Sequence, residues 1–182
     1  MTPSPALLLC ALTYRDDALR SKALSRMEGR FGPCRAASDP YPFIFTRYYE
    51  EEMGPCLLKQ AVAFVRLVHP GLLPRLKLAS GRTEDELRDP VTGHRRVNLD
   101  PGYLTPSALV LASTKGAPHR IYLGLGIYGE TTLVYHKGEY RPLPWTYLDY
   151  RQESLLRFLG EIRPGLLREL RATCRPRPRR VP

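Results

Sequence analysis

Cysteine is scarce and scattered in this chain. Cys10, Cys34, Cys56 and Cys174 are the four in 182 residues, and no two form a CxxC pair. Disulfide frameworks belong to small secreted chains that cannot bury enough core. Structural zinc needs closely spaced thiols or imidazoles. The four histidines show neither HxxxH nor HExxH spacing. The expectation is reduced thiols in a cytoplasmic protein, with Cys10 in the core and no metal among the site residues. Long apolar runs are also missing: Ala6 to Leu12 is seven residues with no basic segment before it. A signal peptide needs that basic segment and a membrane helix about 20 apolar residues, so no membrane partner is expected. There is no GxxxxGK[ST] phosphate loop, no nucleophile elbow and no internal repeat, which removes the usual nucleotide-hydrolysing and serine-hydrolase signatures.

What is present fits a globular protein. The chain is 43% hydrophobic and 25% charged, and a domain of this length buries about 70% of its unfolded surface. We expect one domain over residues 1–174 and a basic Pro/Arg-rich tail at 175–182 that stays solvated and disordered. The net charge of +10 points to an anionic partner. Arg171, Arg175, Arg177, Arg179 and Arg180 carry half of it, which leaves the tail as a possible nucleic-acid arm.

Periodicity predicts a buried strand over 6–14 and a helix over 17–31, with Asp16 as N-cap and Gly32-Pro33 as stop. Residues 41–46 read as a strand, 47–54 as a loop or single turn, and 57–68 as a strand. Thr83 before Glu84, Asp85 and Glu86 reads as a helix start. Residues 89–94 are a loop and 95–99 a strand, followed by a turn at Asp100-Pro101-Gly102. Strands are expected over 108–114 and within 120–136, where Gly124, Gly126 and Gly129 mark a bend or bulge. Lys137-Gly138 is a hairpin turn. An amphipathic helix over 152–172 is expected to break near Pro164. Helices early and late with antiparallel strands between them give an α+β class, a mainly antiparallel or mixed sheet with flanking helices.

Several polar residues stand out. GLGIYG at 124–129 has the glycine spacing of a dinucleotide loop, but Thr131, Thr132, Val134 and Tyr135 favour a continuing strand over the helix that such a loop opens. Ser113, Thr114, Lys115, His119 and Arg120 place hydroxyls, an ammonium, an imidazole and a guanidinium in one loop, suited to phosphate or carboxylate; the plain alternative is a solvated loop. Asn98 and Asp100 alternate on one strand face, although Asp100 before Pro-Gly also suits an Asx-turn. Glu130 needs a partner such as Lys115, Arg120 or a metal if it faces inward; the expectation is that it faces outward. Tyr122 and Tyr128 suit stacking or cross-strand packing.

The blocks FTRYYEEEMG (45–54), VNLDPGYL (97–104), LVLASTKGAPHRIYLGLGIYGETTLVY (109–135) and WTYLDYR (145–151) together resemble an uncharacterised bacterial family, domain of unknown function 4416. The resemblance implies a small single-domain protein. Some members carry the label GTP-binding protein, for which this chain has no phosphate loop. Arg47 stands where the family pattern has an acidic residue, so no metal role is carried to that loop. The expected function is a polar pocket for a phosphorylated or nucleotide-like small ligand, with or without catalysis. His119 and Glu130 form the catalytic pair. Asn98, Asp100, Ser113, Thr114, Lys115, Arg120, Tyr122 and Tyr128 bind the ligand, with Mg²⁺ a candidate cofactor held by Asp100 and Glu130. The alternatives are an RNA-associated module or an interaction protein without a ligand.

Overall fold

The first apolar run becomes the central strand β1, Ala6–Tyr14, with all nine residues buried. Its continuous hydrophobicity follows from burial on both faces, because each face is covered by helix. The computed structural model describes residues 3–173, so the tail at 175–182 lies outside the described residues. Helix α1, Asp17–Phe31, follows directly, and the Asp16 side chain accepts the Leu19 N–H at 2.9 Å as an N-cap. Then come β2 (Cys34–Ala37), β3 (Tyr41–Pro42), the one-turn helix α2 (Glu50–Met53) and β4 (Leu58–Val68). After a 3-10 turn come α3 (Leu73–Glu86), β5 (Val97–Leu104), β6 (Ala108–Ser113), β7 (Ile121–Gly124), β8 (Ile127–His136) and β9 (Glu139–Pro142). A second 3-10 turn, Leu148–Arg151, leads into α4, Glu153–Thr173.

All pairings are antiparallel, in the order β2-β4-β1-β5-β6-β8-β7, with β3 added on β4 and β9 on β8. This is an α+β fold. Alternation along β1 separates two cores. Leu7, Leu9 and Ala11 meet Leu155, Phe158, Leu159 and Leu166 of α4. Leu8, Cys10, Leu12 and Tyr14 meet Leu19, Ala23, Met27 and Phe31 of α1, with Leu76 and Ala79 of α3 against them. No helix among the described residues is long and apolar enough to cross a membrane.

The structure differs from expectation at five places. The strand at 41–46 is two residues long: Phe43 still donates its N–H to the Leu57 carbonyl at 2.8 Å while its side chain buries against Met53 and Leu57, and regular pairing ends there; β2, before it, was not anticipated. The helix assigned to Thr83 begins ten residues earlier at Leu73, with Pro74 in its first turn, where proline is favoured. Thr83 sits in the last turn, its hydroxyl donating to the Ala79 carbonyl. No turn forms at Asp100-Pro101-Gly102: β5 runs through them, so Asp100 is not an Asx-turn residue. Proline is tolerated there because β5 pairs with β6 only from Gly102 onward, so the edge on which Pro101 lacks an N–H is unpaired. At Gly102 a Cβ would stand 2.4 Å from the Val110 carbonyl oxygen, which requires glycine. At 124–129 the expected bend and bulge are present, with a register shift between Tyr122 and Gly124 and positive φ at Gly124, Leu125 and Gly126, but the bend is a full hairpin between β7 and β8 rather than one continuing strand; the dinucleotide reading is excluded with it. Finally, α4 continues through Pro164, since its apolar face is buried on both sides of the proline, at Leu159 and Leu166.

Candidate functional site

The sheet register gathers polar side chains at one end of the face that α4 covers. Lys59, Thr13 and Asn98 lie abreast on β4, β1 and β5. One row further, Asp100 lies abreast of Ala11 and Ala61. Across β6 and β8, Ser113 pairs with Tyr128 and Leu111 with Glu130. Two networks result.

The first surrounds Asp100. Its Oδ1 accepts from Lys77 Nζ at 3.1 Å, its Oδ2 from Asn98 Nδ2 at 2.8 Å, and Lys59 Nζ stands 3.8 Å away. Lys59 is buried and donates to Asp149 Oδ2 at 2.5 Å, with its ammonium 4.2 Å from the centre of the Tyr150 ring. Arg95 donates to Asn98 Oδ1 at 3.0 Å and to Glu52 Oε2 at 3.1 Å. The open edge of β5 is closed by α3: Lys77 donates to the Leu99 carbonyl at 2.7 Å, and Glu84 Oε1 accepts the Leu99 N–H at 2.5 Å. Around Lys59, the buried hydroxyls of Thr13, Tyr41 and Tyr150 have no protein partner.

The second network surrounds Glu130, which is buried and faces inward, against the expectation that it faces outward. Arg120 is the partner that burial demands: its Nε donates to Glu130 Oε2 at 2.6 Å. Its Nη1 fixes the loop before it, donating to Ser113 Oγ at 2.8 Å and the Lys115 carbonyl at 2.9 Å. His119 Nε2 lies 3.4 Å from Glu130 Oε2, and its ring stacks on Trp145 at 5.4 Å and 13°. Trp145 is held in turn by its Nε1–H donating to the Thr131 carbonyl at 2.9 Å.

Loop 43–53 spans the two networks. Lys115 Nζ sits 4.2 Å over the Tyr48 ring, Tyr48 packs edge-on against Tyr49, and the Arg95 guanidinium lies 5.5 Å over Tyr49. Burial, followed by the Asp100 charge, pushes the Tyr49 phenol up.

Ser113, Lys115, His119, Arg120 and Glu130 are therefore brought together, whereas Asn98 and Asp100 belong to the other network. Asp100 and Glu130, expected to share a divalent ion, are each matched to cations instead. Thr114 is exposed. Tyr122 and Tyr128 pack edge-on at 5.3 Å near the sheet edge, with Tyr128 beneath Gly116. Lys59, Lys77, Glu84, Arg95 and Asp149 were missed. Lys59 lies near the start of β4 in a largely apolar segment, and that anomaly is the one signal that marked it.

Ionisation in the first network runs in opposite directions. Burial opposes charge on Asp100, but Lys77 and Lys59, with the hydrogen bonds from Lys77 and Asn98, overcome it and hold the carboxyl below its usual range. Asp100 thus contributes stability above the unfolded-state value that is lost as pH falls through the folded one. Burial pushes Glu84 up despite Lys77 and the Leu99 N–H. The folded state then holds more proton than the unfolded one between the two values, so this contribution falls as pH rises through that window. Glu84→Gln keeps an acceptor for Leu99 and removes the charge. We expect it to be more stable than wild type at pH 7 in urea denaturation, with the gap closing towards about pH 4. A less stable variant at pH 7 contradicts the assignment.

Among the described residues, no group of three or more His, Cys, Asp or Glu side chains is placed to hold a metal ion. Residues 4–165 match the family described as domain of unknown function (DUF4416). The chain belongs to the DUF4416 family. No curated protein and no solved structure matches it. Both networks, and the tyrosine loop joining them, fall within the DUF4416 region.

Proposed function

We propose that this DUF4416 protein is a cytoplasmic binder of a small phosphorylated or nucleotide-like ligand, seated between loop 43–53 and the 113–120 loop. The observation that carries the reading is Lys115. Its ammonium is exposed, has no carboxylate within 4 Å among the described residues, and stands over the exposed Tyr48 ring. A phosphate suits the ammonium and a planar base suits the ring. Arg120 is matched to Glu130 and serves to hold the loop. His119, stacked on Trp145 with its buried Nε2 3.4 Å from Glu130 and without a hydrogen-bond partner, is the group suited to carry a proton to or from the ligand. Any Mg²⁺ arrives with the ligand's phosphates.

The test is thermal denaturation of the full chain with nucleoside mono- and triphosphates, sugar phosphates and inorganic phosphate, each with and without Mg²⁺. A ligand at 100 times its Kd adds about 2.7 kcal/mol, a rise of roughly 5–11 °C for a domain of this size. Lys115→Ala should melt like wild type without ligand, as exposed sites change stability by less than about 0.5 kcal/mol, and should lose the rise. A flat response to every compound, or a rise that survives Lys115→Ala, refutes the proposal.

A further inference from the structure

A different surface lies on the opposite side of the sheet, between α1 and the segment 87–96. The groove there has Leu19 and Leu87 at its base and four cations on its walls: Lys22, Arg26, Arg88 and Arg96. One carboxylate, Glu86, faces them, and it is held by Arg30 with Arg26 at 3.7 Å. Arg88 is fixed by Asp85 at 2.9 Å and by the Gly93 carbonyl. Lys22 and Arg96 have no carboxylate within 4 Å among the described residues. Ser21 and Ser25, one helical turn apart, add hydroxyls beside Lys22 and Arg26.

The groove continues past Leu19 and Arg96 into a second concavity lined by Arg15, His94, Glu52 and Asp89. The carboxylates there are already occupied. Asp89 accepts the Val91 and Thr92 N–H groups and the Thr92 hydroxyl, and Glu52 accepts from Arg95. Those hydrogen bonds leave the charges of Asp89 and Glu52 in place, so the unmatched cations are Lys22 and Arg96 of the first concavity. These residues belong to the body of the chain.

We infer that this groove binds the phosphodiester backbone of a single-stranded nucleic acid. A run of cations at helical and loop spacing matches a run of phosphates. A concave groove accepts one strand, whereas a duplex is read by elements that project into its own grooves. Among the described residues no Phe, Tyr or Trp lines the groove, so recognition rests on the phosphates and binding is independent of sequence.

The experiment is fluorescence anisotropy of a labelled 12-nucleotide oligouridylate with the full chain. With about three phosphates neutralised, affinity falls about 20-fold between 50 and 200 mM salt. In Lys22→Glu/Arg96→Glu, affinity falls at least tenfold at the lower salt, and the salt response shrinks to about threefold. A companion variant, Lys22→Gln/Arg96→Gln, weakens binding less and melts as wild type, which separates charge from folding. A third variant, with Arg175, Arg177, Arg179 and Arg180 replaced by Ser, retains the groove-dependent part. Binding unchanged in both groove variants overturns the inference, as does binding abolished by the tail substitutions alone. Saturable binding of inorganic tripolyphosphate with none of oligouridylate also overturns it, assigning the groove to a small anion.

Discussion

Lys59→Met should lower the melting temperature by about 6–20 °C. Lys59 and Asp149 are both buried and joined at 2.5 Å. Removing one partner of a buried pair leaves the other charge without compensation, at about 3–5 kcal/mol, and each kcal/mol moves the midpoint of a domain this size by about 2–4 °C. Asp100 is less affected, since Lys77 remains on it. The double variant Lys59→Met/Asp149→Leu removes both charges and should recover most of the loss, because apolar replacement of a whole buried pair is often neutral. A single variant that melts like wild type would show that the pair is solvated and that Asp149 does not depend on Lys59. A double variant as unstable as the single would assign the effect to packing around Phe43 and Tyr150.

Arg120→Met should be comparably destabilising and should also loosen a loop. Glu130 loses its buried partner, again about 3–5 kcal/mol, and the bonds to Ser113 and the Lys115 carbonyl vanish with it. The two effects separate experimentally. In Arg120→Met/Glu130→Gln the uncompensated charge is gone, so the melting temperature should recover most of the way. The loop is still untied, so trypsin should cleave after Lys115 faster in both variants than in wild type. Cleavage at the wild-type rate in both variants would mean that Arg120 does not hold the loop. A double variant no better than the single would mean that the carboxylate is not what suffers.

Local signals in the sequence were read correctly where chemistry is local. Asp16 caps α1 as its spacing to Leu19 requires, Lys137-Gly138 turns between β8 and β9, and Ser113 to Glu130 meet because a short loop and one hairpin join them. The errors lie where tertiary partners override a local preference. Pro101-Gly102 has turn chemistry, yet β1 on one side, and α3 and β6 in succession on the other, hold it extended. Thr83 has the chemistry of a cap, but the apolar face of α3 begins at Leu73. Pro164 is a helix breaker that packing against the sheet overrides. Lys59, Lys77 and Asp149 were not legible as a site because their neighbours depend on β1 lying between β4 and β5. That arrangement sets residues 59, 100 and 149 side by side, and no spacing along the chain records it.

The join between β5 and β6 has a kinetic consequence. The two strands pair at three positions, Gly102 with Leu111, Tyr103 with Val110 and Leu104 with Leu109. Beyond that, Lys77 and Glu84 stand in for the missing neighbour strand. The sheet is thus assembled from two blocks with different loop-closure demands. Strands β6, β7 and β9 all pair on β8 within residues 108–142, β7 and β9 as hairpins and β6 across one short connection, and close over short distances, which favours early formation. The block containing β1 must wait for β4 and β5 to arrive from far along the chain, and its β5 edge presents bare peptide groups until α3 docks. During that interval the edge is a template for another chain. Docking of α3 ends that exposure, because Lys77 and Glu84 then take up both peptide groups of Leu99.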